Sequence, residues 1–309
     1  MFQGTGGHNL NSSYRGIGNP SFFAIEELIM AYENYTTFTA EQRDAILYVT
    51  FDFGTVNVQG QEMLADLNGL ALRLERDRSV KVVVFQSANP EIWVCHYDTN
   101  LLKEMSTEAV SRDEAKVLDL QAVLERISKV PQATIAKLEG FARGGGHEFA
   151  LACDMRFAAR GKFKFMQMEV GMGILLWWWR VSYGSSGWSR SSIRIILSAR
   201  DFTADEAEAY GTINKALEPD EIGPYVDALA QRISKFPAES INVCKQMVYE
   251  SIDKPIDEAL KAEAYWLYQA TSKTPAVKRF QIADEQGLEH DIENQRNWEQ
   301  LVMNVQDIN

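Results

Sequence analysis

Three short runs hold the residues best suited to chemistry. The first is Gly144-Gly145-Gly146-His147-Glu148, set between a strand-like and a helix-like stretch. Glycine lets a backbone approach a ligand closely. The first N–H groups of a helix lack intrahelical acceptors and carry positive partial charge. Such donors suit an oxygen that becomes negative during a reaction. Glu148 falls in the first helical turn, close to those donors. On spacing alone the plainer reading carries more weight: a tight turn followed by an acid that favours a helix start. The run is neither a phosphate loop, since the Gly-Lys-Ser/Thr end is missing, nor a dinucleotide fingerprint. The second run is Phe165-Met-Gln-Met-Glu-Val-Gly-Met-Gly173. Buried there, Glu169 would have a raised pKa, which suits proton transfer near neutral pH. The plainer reading is an exposed loop glutamate. The third run, Trp93-Val-Cys-His-Tyr-Asp98, reads as a strand end that presents backbone donors. His96 with Asp98 hints at a metal or a triad. The chain's four histidines, His8, His96, His147 and His290, fit no metal spacing, and no Gly-x-Ser-x-Gly elbow occurs. No metal is expected. Cys95 and Cys153 lie among apolar residues and read as inert core thiols.

The elements that must position these runs follow from periodicity. Leu47 to Phe53 looks like a strand. Met63, Leu64, Leu67, Leu70, Ala71 and Leu74 recur at helical spacing over Gln61 to Arg76. Val80 to Phe85 is a nearly continuous apolar run, as in a strand covered on both faces. The spacing predicts a helix over Ser111 to Val130, opened by a Ser111–Glu114 capping box and stopped by Pro131. Ala133 to Leu138 returns to strand character. The glycines read as a turn and the residues after them as a buried helix. Cys153 to Ala159 and Lys162 to Phe165 read as further strands. Thr203-Ala-Asp-Glu206 is a second capping box, and Ile213 to Leu217 a last strand. After Pro219 the chain is mostly helical: 220–236, 238–252, 256–271, 275–286 and 289–305. Alternating strands and helices followed by a helical tail imply an α/β core with largely parallel sheets. The tail carries Tyr265, Trp266, Leu267, Tyr268 and Trp298, more apolar surface than a peripheral element needs, and is expected to meet a neighbouring subunit. Residues 1–20 read as a loose arm, and Phe22 to Tyr32 as a short helix.

Composition narrows the classes. The 309 residues are 46% hydrophobic and 24% charged, an ordinary soluble balance. With 31 basic and 43 acidic residues the net charge is −12, so a phosphate backbone is an unsuitable partner and no nucleic acid is expected. Three cysteines, Cys95, Cys153 and Cys244, make no disulfide framework and point to a reducing compartment. No run of about 18 apolar residues is present, so no membrane span is expected. No targeting signal is seen, and a cytoplasmic location is expected.

Taken together, the segments resemble the crotonase superfamily, the enoyl-CoA hydratase/isomerase fold, over roughly residues 46–275. Val49 to Asn57 is similar to the first strand and its Asn-containing turn, and Val80 to Gln86 to the next strand. Trp93 to Asp98 occupies the place of the first oxyanion segment. Ile135 to Asp154 matches the signature closely, Phe165 to Ile174 resembles the segment bearing the second glutamate, and Leu197 to Asn214 matches the later helix and its exit. The resemblance implies a crotonase-like α/β spiral of ββα repeats with a C-terminal helical region. It implies an N-terminal, partly disordered extension at 1–45, a core at 46–220, and a helical oligomerisation region at 221–309. It implies hydration of a 2-enoyl-CoA thioester to a 3-hydroxyacyl-CoA through an oxyanion-stabilised enolate. Tyr97 and Gly145 would supply the oxyanion hole. Glu148 and Glu169 would activate water and protonate the α-carbon. His96, Asp98 and Gly144 would contact substrate. No separate cofactor is implied, because CoA is part of the substrate, and the chain is expected to form a homotrimer or hexamer. The alternatives are an enoyl-CoA isomerase, a decarboxylase, a thioester hydrolase or a non-catalytic binding subunit.

Departures from the family are local. His96-Tyr97 replaces the usual Gly-Ala, so Tyr97 is expected to narrow the acyl pocket while its backbone N–H stays available. Met168 stands where proline is common. After Glu169 the family continues with a Pro-Gly-rich loop, a helix and a Gly-Arg-Ala turn, whereas residues 175–194 here hold four of the chain's seven tryptophans. Tryptophan's codon, TGG, repeated three times and read one base later, gives Gly-Gly-Gly. A pair of compensating frame changes would account for Trp177-Trp178-Trp179. The alternative is a genuine lineage-specific loop whose tryptophans pack as core or contact a lid, and the coding DNA decides between them.

Overall fold

The computed structural model describes residues 32–176, 189–252, 254–288 and 291–306. The loose arm, the short helix expected from Phe22 (apart from Tyr32), His8, His290 and Trp177 to Trp188 lie outside the described residues. The described chain forms two sheets. The larger has six strands in the order β1 (Phe38–Arg43), β2 (Ile46–Phe51), β3 (Val82–Ser87), β5 (Ala133–Leu138), β7 (Met155–Ala159), β10 (Lys215–Leu217). Only the β1–β2 pair is antiparallel. The smaller sheet runs β4 (Ile92–Val94), β6 (Phe141–Arg143), β8 (Lys164–Met166), β9 (Phe202–Thr203). There β4, β6 and β8 are parallel, and β9 closes the edge antiparallel to β8.

The order explains the spiral. Strands β3, β5 and β7 enter the large sheet side by side, and each is followed at once by a strand of the small sheet. A helix then returns the chain to the start: α1 (Gln61–Leu74) after β2, α2 (Thr99–Lys103) and α3 (Asp119–Lys129) after β4, and α4 (Gly145–Ala152) after β6. This is the crotonase-like fold of ββα repeats. Each turn rests on its apolar spacing: Met63, Leu67, Leu70 and Leu74 of α1 are fully buried, as are Leu124 and Ile127 of α3. Helix α4 is buried along its whole length, its polar His147 and Glu148 included. Its Phe149 stacks on Trp93 at 5.2 Å and meets Phe51 and Phe85 edge-on at 5.6 and 5.1 Å. The central helix is thereby fixed to strands of both sheets.

Later elements are α5 (Ser189–Ser198), α6 (Ala204–Ala209), α7 (Ile222–Ser234), α8 (Ala238–Ser251), α9 (Ile256–Lys273), α10 (Ala276–Glu285), α11 (Ile292–Arg296) and α12 (Trp298–Asn304). The Thr203–Glu206 capping box opens α6 as its sequence requires. Three expectations shift. The large sheet opens at Phe38, inside the stretch assigned to the extension. Its edge strand buries fully only Phe38, so no alternating pattern announces it. The helix expected from Ser111 begins at Asp119. Ser111 does bond Glu114, but Val117 next to the turn is 75% exposed, and no buried face carries a helix there. Finally, α7, placed with the C-terminal region, packs Ile222, Val226 and Ala230 onto the large sheet and belongs to the core. Among the described residues no helix is long and apolar enough to cross a membrane.

Candidate active site

Parallel strands that lie side by side end on the same edge, and that edge is where ligands bind in open α/β sheets. Strand β4 ends before Cys95-His96-Tyr97, β6 before Gly144-Gly145, and β8 before Gln167-Met168-Glu169. The small sheet therefore delivers all three chemical runs to one corner.

Local bonds aim each group. Gln59 N–H donates to His96 O at 2.9 Å, and Asp98 N–H donates to Gln59 O at 3.0 Å. This is a parallel bridge centred on Tyr97. Successive peptides of an extended chain face opposite sides, so Tyr97's own N–H faces away from Gln59's strand. It lies 3.2 Å from where a Cβ on Gly145 would stand. Gly145 is the first residue of α4, where an N–H has no intrahelical acceptor. The two backbone amides thus adjoin.

The glycines are required by contact. Gly144 has φ +48°, and a Cβ there would lie 2.7 Å from Glu169 Oε1. A Cβ on Gly146 would overlap Val94 O, so α4 packs directly on the backbone of β4.

Both acids are buried. Glu148 sits in the first turn of α4 at 1% exposure, and Glu169, opening a 3-10 turn at Glu169–Met172, at 5%. Burial pushes the Glu169 carboxyl above its ordinary value, opposed by the backbone N–H groups of Glu169 and Met168 and by the charge of His96. Its Oε2 is buried with no hydrogen-bond partner. His96 Nδ1 lies 2.8 Å from Tyr97 O. The hydrogen bond with Cys95 raises its pKa most, to about 9, and the Tyr97 carbonyl adds to this against the cost of burial. His147 is of another kind. It is fully buried, stacked on Phe165 at 4.2 Å and paired with Gln167 at 3.1 Å. Burial lowers its pKa to about 3, with the charge of Arg156 a lesser cause.

His96, Tyr97, Gly145, Glu148 and Glu169 line one cavity of about 300 Å³. Leu102, Leu120, Met168, Met172 and Ile174 supply its apolar wall. A second hollow of about 340 Å³ shares Leu102 and Ile174 with it. A larger cavity, about 440 Å³, lies among the C-terminal helices, but its lining holds no carboxylate or histidine. Two expected contacts fall outside the wall. Asp98 caps α2 by accepting from Asn100 N–H at 2.8 Å, and Gly144 backs Glu169. Among the described residues no cluster of three or more His, Cys, Asp or Glu is arranged to hold a metal.

Residues 41–300 match the enoyl-CoA hydratase/isomerase family. The chain belongs to this family. It is 29% identical over 243 residues to the crotonyl-CoA hydratase of Syntrophomonas wolfei, spanning 76% of this chain and 88% of that one. It is 29% identical over 217 residues to the short-chain-enoyl-CoA hydratase of Clostridium acetobutylicum, spanning 68% and 79%. The crystal structure of an enoyl-CoA hydratase from Bacillus anthracis superposes with a TM-score of 0.72 at 18% identity, covering 81% of this chain and 97% of that one. In this family member, sequence reasoning missed the wall residues Leu102 and Leu120, which carry no motif, and gave Met172 and Ile174 of the second segment no role. It also missed Gln59, whose place beside Tyr97 and Gly145 exists only after folding.

Proposed function

We propose that the chain hydrates a 2-enoyl-CoA thioester to a 3-hydroxyacyl-CoA. The observation that carries this reading is that Tyr97, Gly145 and two buried glutamates line one cavity, with Tyr97 N 3.2 Å from the Cβ position of Gly145. The thioester oxygen sits between the two N–H groups. Charge that moves onto it as water attacks the β-carbon meets preorganised donors. Glu169, held toward its protonated form by burial, gives its proton to the α-carbon. Glu148 accepts the proton that water loses as the C–O bond forms. Once the proton on Glu148 passes back to Glu169 the two acids are reset. The net result is a hydroxyl on the β-carbon and a hydrogen on the α-carbon, and no cofactor beyond the substrate's own CoA takes part. Two acids suit hydration better than a one-carboxylate isomerisation. The hydratase names of the Syntrophomonas and Clostridium relatives support the same reaction.

The test is loss of the conjugated enoyl absorbance of crotonyl-CoA, with 3-hydroxybutyryl-CoA identified as product. Glu148→Gln and Glu169→Gln are each expected to cost on the order of 10²-fold or more in kcat, the upper part of the usual acid–base contribution. Wild-type turnover in both variants would overturn the assignment. Running the same assay on a chain with 175–194 restored to the shifted frame tests the frame reading: equal activity in both forms would reject it.

A further inference from the structure

Gln59 stands apart among the described residues. Its side chain is fully buried, and neither Oε1 nor Nε2 has a hydrogen-bond partner. Buried amides are normally satisfied, because leaving one unpaired costs stability. No other described side chain has two polar atoms in that state. The orphan is also in a telling place. The carboxamide oxygen stands where a Cβ on Gly145 would have to go, and the Tyr97 nitrogen lies 3.2 Å from the same point. Gln59 already brackets the Tyr97 peptide through its own backbone N–H and C=O. Two further orphan atoms, Glu169 Oε2 and Gln167 Oε1, belong to the run that ends β8 at this same corner. A methionine would fill the Gln59 site with almost the same shape and no unpaired amide.

We propose that Gln59 is a positioning residue of the oxyanion corner, its buried carboxamide dipole set behind the Tyr97 and Gly145 amides to favour negative charge on the thioester oxygen. With neither end hydrogen-bonded, the amide can turn its NH2 end toward Gly145, since which end is oxygen is fixed only by its partners. At a buried position such a dipole strengthens the field that the two donors exert. The inference rests on the thioester reading given above.

The test compares wild type, Gln59→Met and Gln59→Glu in three measurements. These are crotonyl-CoA kinetics, the apparent pKa for enolisation of bound acetoacetyl-CoA read from its near-UV band, and binding of an alkyl-CoA thioether that lacks the carbonyl. Gln59→Met is expected to melt no lower than wild type and to bind the thioether unchanged. Its kcat should fall about tenfold with little change in KM, and the enolisation pKa should rise by about one unit, which is the same factor. Gln59→Glu keeps the shape and places a carboxyl behind the corner. It is expected to lose more, and it serves if the methionine variant does not fold. Wild-type kcat and enolisation in either folded variant would overturn the proposal. So would parallel loss of melting temperature and thioether binding, since that marks a packing role. A wild-type chain that binds the thioether but neither hydrates crotonyl-CoA nor enolises acetoacetyl-CoA would instead reject the thioester reading, and this proposal with it.

Discussion

Glu169 illustrates how one residue joins stability to chemistry. Its carboxyl is buried, and burial raises its pKa in the fold. Well below the unfolded value of 4.5 the group is neutral in both states, and its substitution by glutamine changes little. As the pH rises, the unfolded chain ionises first, so the wild type loses stability that the glutamine variant keeps. We therefore expect Glu169→Gln to melt above wild type at pH 8 while losing hydration, with the gap closing as the pH falls toward about 4. A variant less stable than wild type across that range would show that the carboxyl is structural. His96 adds a second pH effect. Its charge favours the ionised form of Glu169. Removing it in His96→Gln leaves Glu169 protonated to higher pH, so the basic limb of the kcat/KM profile is expected to move upward. An unmoved limb would detach His96 from the acid.

At the scale of elements, the site is the common edge of β4, β6 and β8, and its precision comes from backbone contacts. Two neighbouring glycines in α4 are expected to fail in different ways. A Cβ at Gly146 would strike the carbonyls of Val94 and Cys95, which cannot yield. Gly146→Ala should cost about 3 kcal/mol of stability, the upper end for overpacking, read from urea denaturation. A Cβ at Gly145 meets the movable end of Gln59 but also crowds Tyr97 N. Gly145→Ala should fold and lose about 10²- to 10³-fold in kcat, as on losing one oxyanion donor. Reversed outcomes would mean that Gly146, not Gly145, meets the substrate. The same contrast explains what the sequence could disclose. The glycine run, α1, the Thr203 box and the central strands are local patterns, and they can be read directly. The Ser111–Glu114 box is a false lead because a cap closes a turn whether or not apolar residues follow to bury a helix. Edge strand β1 shows one fully buried residue and no alternation. Gln59 and Tyr97 are 38 positions apart and meet only because two segments pair, which no spacing announces.

At the scale of the whole molecule, the C-terminal helices present a face that, among the described residues, is left exposed. Helix α8 is fixed to the core. Lys245 Nζ lies 2.9 Å from Asp154 Oδ2, and Tyr249 OH donates to Asp154 Oδ1 at 3.0 Å, so the helix is tied beside β7. Helix α9 packs on α8, with Trp266 Nε1 donating to Glu250 at 2.6 Å, and buries only Ala259 and Ala262. Its larger apolar residues point elsewhere. Ile256, Leu260 and Leu267 recur four and seven positions apart, so they share a face, and Tyr268 beside them is 73% exposed. Val277 and Phe280 of α10 are exposed as well. Exposed large apolar side chains that share one helix face point to an interaction site. A second copy of the chain would cover it and hold the helical tail in register with the core. The resemblance implies a trimer or hexamer, and the chain is therefore expected to sediment as one of these at micromolar concentration. Leu260→Glu with Leu267→Glu should shift it to smaller species without altering the secondary structure seen by circular dichroism. A wild-type chain that sediments as a monomer would refute the assignment, whereas an oligomer indifferent to the double substitution would move the interface off α9.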